Sequence, residues 1–171
     1  IDFYGGDVTY GKWMHIVLVL DETSNIAKIY VNGSFISSSV PIEFPKTITR
    51  TNSYIGRSNW TGDAYLDGQI KSFNIWERAL SETEVLQLYN YGRSYNIKGN
   101  MATTKRGRPI SLYIPRFESG GSNNNSPHLA WKNGSNNFSP DYTTFSFSFW
   151  INPTLHTGCI IGNYHATGWT T

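Results

Sequence analysis

Hydrophobic and polar positions alternate with a period of two through several stretches of this chain, the period of a strand that buries one face. Trp13 to Leu20 is an apolar, β-rich run, Asp21 to Asn25 is a turn, and Ile26 to Val31 places Ile26, Lys28 and Tyr30 on one side and Ala27, Ile29 and Val31 on the other. Asn32-Gly33 follows as a hairpin turn, because both residues tolerate positive φ, and Ser34 to Val40 is the return strand. Asn52 to Arg57 is a further strand. Ala64 to Trp76 alternates so that Ile70, Phe73 and Ile75 or Trp76 share a face, with a bulge expected at Asp67-Gly68. Phe145, Phe147 and Phe149 point one way and Ser146, Ser148 and Trp150 the other in the strand Thr144 to Ile151, and Cys159 to Gly162 is a short buried strand.

One segment changes period. Ser81 and Glu84 form an S-x-x-E capping box, Leu80 and Val85 sit where a hydrophobic staple falls, and Val85, Leu88 and Tyr89 recur at helical spacing. Gly92 is the expected stop. Many short antiparallel strands and one short helix predict an all-β sandwich.

Composition supports strands joined by polar turns, with 11 Tyr, 9 Phe and 6 Trp among 171 residues. A single cysteine, Cys159, excludes an internal disulfide framework and a cysteine zinc cluster. A formal net charge of +2 argues against a general polyanion binder. No apolar run is long enough to span a membrane. The basic residues do cluster locally: Arg93, Lys98, Lys105, Arg106, Arg108 and Arg116 occur with no acid among them, ahead of the low-complexity stretch Glu118 to Pro127.

Three groups of residues together resemble the C-terminal half of a laminin G-like, concanavalin A-like lectin/glucanase jelly roll. They are Gly11-Lys12-Trp13-x-His15-Ile16 with Lys28 to Gly33; Tyr54-Ile55-Gly56-Arg57 with Asp67 to Ile70; and Phe73 to Trp76 with Arg78-Ala79-Leu80-Ser81-x-x-Glu84. Phe145 to Pro153, with Ile160-Ile161-Gly162, resembles the N-terminal half of the same family. The chain thus divides into a second half (1–92), a basic and flexible connection (93–127) and a first half (128–171), in permuted order. A circular permutation, a cut across tandem domains and strand exchange between chains each produce this order.

The resemblance implies non-catalytic recognition of a glycan or glycoprotein in adhesion or attachment, at an extracellular, cell or virion surface. The alternative is a structural component of a virion or other surface assembly, contacting neighbouring subunits through 93–127. Sugar binding needs an aromatic plate beside fixed polar groups, a mixture offered by Arg57, Asn59, Trp60 and Asp63 and again by Asn163, His165 and Trp169. Calcium, common among such folds, takes six to eight oxygens; Asn59, Asp63 and Asp67 are the candidate ligands. An enzyme is not expected. Retaining glycoside hydrolysis needs two carboxyl groups about 5 Å apart, and no E-x-D-x-x-E arrangement occurs. His15, His128, His156 and His165 lack metal-ligand spacing, and His15 on an apolar strand is expected in the core. Arg106-Gly107-Arg108-Pro109 matches the core of a minor-groove hook, but one short copy does not make DNA the expected partner.

Overall fold

A computed structural model describes residues 5–40, 52–58, 60, 62–76, 78–93, 112–117, 129–132, 144–154 and 158–164, with backbone alone for 52–53, 93, 112–117, 129–132 and 162–164. In chain order the elements are β1 (Met14–Asp21), β2 (Ile26–Val31), β3 (Ser34–Ser39), β4 (Asn52–Ile55), β5 (Gly68–Trp76), α1 (Glu82–Arg93), β6 (Leu112–Phe117), β7 (Leu129–Lys132), β8 (Phe145–Pro153) and β9 (Ile161–Tyr164). They form a six-stranded sheet, β3-β2-β1-β8-β5-β6, and a three-stranded sheet, β7-β4-β9. All pairings between these strands are antiparallel. The mostly antiparallel sheets and the one short helix among the described residues agree with the concanavalin A-like sandwich expected from the sequence. Strand β6 lies inside the segment read as a connection.

The period-two pattern explains the layers. The inner face of the large sheet carries Met14, Ile70, Phe73, Phe149 and Ile151, packed on Ile55 of β4, on Leu66 and on Ile160 and Ile161. Register aligns these residues in rows, with Ile16 opposite Phe149, Leu18 opposite Phe147 and Ile70 opposite Ile151. The other face is covered too: Val17, Val19 and Tyr30 pack on Leu80, Val85 and Leu88, so α1 lies across the sheet. Both faces of the central strands are therefore dry, which is why Trp13 to Leu20 reads as an almost continuous apolar run.

Turns and caps follow the sequence. Asn32 and Gly33 have φ of 52° and 80°, the left-handed pair of a two-residue hairpin. The Asn32 side chain adds a second use: its Oδ1 accepts the His15 amide at 2.9 Å, tying the hairpin to the start of β1. In the capping box, Ser81 Oγ accepts the Glu84 amide at 3.3 Å while Glu84 Oε2 accepts the Ser81 amide at 2.9 Å. Arg78 closes the cap with a forked contact to both Glu84 oxygens.

Two expectations are refined. Against β6 the register of β5 breaks between Gly68 and Ile70, beside the expected Asp67-Gly68, and again between Ile70 and Phe73; against β8 it breaks between Lys71 and Asn74, where Ser72 has φ of 53°. That extra residue puts Phe73 on the inner face with Ile70, and Asn74 opposite Ser148. Gly92 does not stop the helix, which runs to Arg93. Its role is close approach: a Cβ there would overlap the Trp150 indole, so only glycine lets the last turn of α1 lie on that ring. Gly92→Val is expected to lower stability by about 1–3 kcal/mol, and Phe149→Ala by about 3–5 kcal/mol, both read from urea unfolding midpoints.

Candidate functional site

The loop between β4 and β5 is where an exposed aromatic plate and fixed polar groups meet. Its neck is closed by backbone bonds: the Leu66 amide donates to the Gly56 carbonyl at 3.0 Å, and the Gly56 amide donates to Ile160 at 2.7 Å. Tyr65 bridges Cys159, and the Cys159 amide donates to Ala64 at 3.3 Å, so residues 64–66 lean on 158–160. The loop therefore rests on the sandwich end.

Within it, Arg57 is held by aromatic rings. Its guanidinium carbon lies 4.6 Å from the Tyr54 ring centroid and 5.5 Å from that of Tyr65, and Nε donates to the Ser58 carbonyl at 3.3 Å. Each such cation–ring contact is worth about 0.5–1 kcal/mol at a partly exposed site; together they cut the rotamer freedom of the side chain. Ser58 is buried, and its Oγ accepts the Trp60 amide at 3.0 Å, which fixes the backbone that carries the indole. Trp60 itself is 61% exposed. A large apolar ring in water and a guanidinium held on the same loop are the two kinds of group a sugar ring uses: a plate for its C–H face and a donor fork for its hydroxyls. Asp63 is exposed at the far side of the turn, its amide 3.4 Å from the Trp60 carbonyl.

The sequence-predicted residues are only partly brought together. Arg57, Trp60 and Asp63 share this loop. Asn163 lies on β9 opposite Ser53 of β4, whereas Arg57 follows the end of β4 at Ile55, beyond Gly56 with its φ of 82°. Asn59, His165 and Trp169 lie outside the described residues, as do His128, His156 and Arg106 to Pro109. Tyr54 and Tyr65 were missed by sequence reasoning. Tyr54 stood in the motif that carried the family resemblance, but nothing in the sequence shows that Tyr65 comes to the same guanidinium.

For calcium, Asp63 is exposed and Asp67 half-buried. The Asp67 carbonyl accepts the Thr154 amide at 2.8 Å, which ties the start of β5 to the end of β8. Among the described residues, no three acids, histidines or cysteines come together around a metal position. Asp63 and Asp67 alone do not fit the six to eight oxygens the ion takes.

Other titratable groups have structural employment. His15 is 1% exposed, with Nε2 2.8 Å from Ser148 Oγ and its ring against Trp150 and Tyr89. Burial lowers its pKa to about 4, so it is neutral at pH 7. Glu84 is held at about 2, chiefly by the Arg78 fork and also by the Ser81 cap. Burial pushes the Cys159 thiol up, and its Sγ donates to the Ile161 carbonyl at 3.1 Å, so it is a poor nucleophile.

Residues 4–86 match the family model described as the concanavalin A-like lectin/glucanases superfamily, of laminin G type. The match includes β1 to β5 and the Arg57–Asp63 loop, and ends within α1. Strand β8 and the permuted order lie outside it. No curated protein and no solved structure matches the chain.

The two depressed pKa values set an acid limb in stability. Unfolding lets His15 take a proton that its buried ring refuses, so stability is lost as pH falls from about 6.5 toward about 4. Glu84 adds a second loss between about 4.5 and about 2, where its folded carboxylate stays charged and the unfolded one does not. Urea midpoints measured against pH are expected to show both limbs; His15→Gln flattens the upper one and Glu84→Gln the lower one.

Proposed function

We propose that this laminin G-like sandwich is a non-catalytic recognition module that binds carbohydrate through the Arg57–Asp63 loop, in an adhesion or attachment role at an extracellular, cell or virion surface. The observation that carries the reading is Trp60, 61% exposed on the same loop as an arginine clamped by Tyr54 and Tyr65, both anchored through Ser58. A large indole left in water on a bonded loop has no folding purpose there, whereas a sugar face covers it. Asp63 lies on the same turn and supplies hydroxyl acceptors. The superfamily match supports recognition at a coarse level. Calcium belongs to the proposal only as an ion completed by groups beyond Asp63 and Asp67, such as Asn59.

A second reading, contact with neighbouring subunits in a surface assembly, is favoured by the edge strand β3. Phe35 is 50% exposed, Ile36 37%, and Val40 just beyond it 62%. No helix among the described residues is long and apolar enough to cross a membrane.

A glycan array run with calcium and with chelator tests the first reading. Saturable binding is expected, weakened about tenfold or more by Trp60→Ala. The melting temperature of that variant should be unchanged because the ring is solvated. Loss of signal in chelator would assign calcium a role. A folded chain silent in both arms would sink the carbohydrate reading and leave subunit contact.

A further inference from the structure

Arg57 and Arg78 are held in different ways. Arg78 is matched by Glu84 at the helix cap. Arg57 meets no carboxylate among the described residues; its partners there are two tyrosine rings and the Ser58 carbonyl. Both tyrosines are buried and the arginine is half-buried, so the cation is drawn partly out of water. The rings and the carbonyl steady it, but none carries the full negative charge that would offset its desolvation.

The donors of the two guanidinium groups are also used differently. At Arg78 both η nitrogens are filled, one by each Glu84 oxygen. At Arg57 it is Nε that is bonded, to Ser58, while Nη1 and Nη2 donate to no group among the described residues. Those two nitrogens make the fork that matches the coplanar oxygens of a carboxylate. The tyrosine clamp holds that fork before a ligand arrives, which lowers the ordering cost of binding.

The rest of the loop narrows the ligand. Trp60 is three residues on, its Cα at most about 11 Å from that of Arg57, and its backbone is fixed by the same Ser58. Residues 57–63 contain one cation, Arg57, and one anion, Asp63, so the loop is neutral overall. A densely sulfated chain gains little from a neutral loop and is opposed by Asp63. A sugar with one carboxylate among hydroxyls uses both charges.

We infer that Arg57 is the receptor for a sugar carboxylate, so that the ligand is a glycan bearing a uronate-type acid. The inference rests on the carbohydrate reading of this loop and names its substrate class. The carboxylate closes on the Nη fork, Trp60 takes a C–H face, and Asp63 accepts hydroxyls.

The test measures binding of the full chain to matched tetrasaccharides by titration calorimetry. Each series ends in glucuronate, glucose or glucose 6-sulfate, or in galacturonate, galactose or galactose 6-sulfate. In one series or both, the uronate is expected to bind about tenfold or more tighter than the neutral and the sulfated sugar. Arg57→Gln should bring the uronate down to the neutral level. Arg57→Lys, which keeps the cation but lacks the fork, should lose most of the preference. A purely structural arginine would weaken all three sugars alike, and melting curves check that the variants fold. Neutral and acidic sugars bound equally, through Trp60, would overturn this inference and leave the carbohydrate reading standing. So would a sulfate bound as tightly as the uronate, or a uronate preference that survives in Arg57→Gln. Silence toward every sugar from the folded chain would sink both readings.

Discussion

Strand β8 is hydrogen-bonded to β1 on one side and β5 on the other, at the centre of the large sheet. Its inward Phe145, Phe149 and Ile151 fill the sandwich core, and its outward Ser146, Ser148 and Trp150 meet the cap residues, His15 and α1. Without it β1 and β5 lose their common neighbour, and both hydrophobic layers open. The outward positions show why this strand is not interchangeable with any apolar strand. A serine hydroxyl buried at 0% exposure has to be satisfied, and Ser146 is satisfied on both counts, as acceptor and donor, by the turn that launches the helix.

The helix depends on the same contacts. A twelve-residue helix is marginal in water. It persists here because Val85 and Leu80 are buried against Val17, Val19 and Tyr30, and because Arg78, Ser81 and Glu84 satisfy its first turn. Tyr89 then stacks on Trp150 at 5.8 Å between centroids, with His15 against the same indole at 5.1 Å. Lys71 lies over Trp150 at 5.5 Å and over Trp13 at 4.2 Å, so the aromatic layer ends in a cation at its solvent side. Histidine in this layer is a packing residue with one hydrogen bond; its Nδ1 has none. Its neutrality is part of the core, not a device of chemistry.

The Arg57–Asp63 loop is built on the opposite principle. Its neck is bonded to the sandwich, its arginine is clamped, and its indole is left out. Rigid support under an exposed aromatic ring lowers the ordering cost of binding, and that is the physical link between this fold and recognition. Glu84 serves the helix cap, its carboxylate held charged by Arg78 and Ser81.

Local pattern in the sequence marked the stretches that form β1 to β5 and β8 and the helix, because burial of one face per strand leaves a period of two, whereas β6 fell in the segment read as a connection. Asn32-Gly33 and Ser81-x-x-Glu84 were legible for the same reason: turns and caps are satisfied by residues within a few positions. Trp60, Arg57 and Asp63 were legible as a polar loop with an aromatic ring. Only tertiary structure decided that Tyr65 joins Tyr54 on Arg57, that Gly92 makes room for Trp150, and that the register of β5 against β8 breaks at Ser72. It also decided that a strand following all of β1 to β7 lies between β1 and β5. These are pairings between residues tens of positions apart. Their energy depends on register and on which backbones meet, and no local pattern of polarity records that.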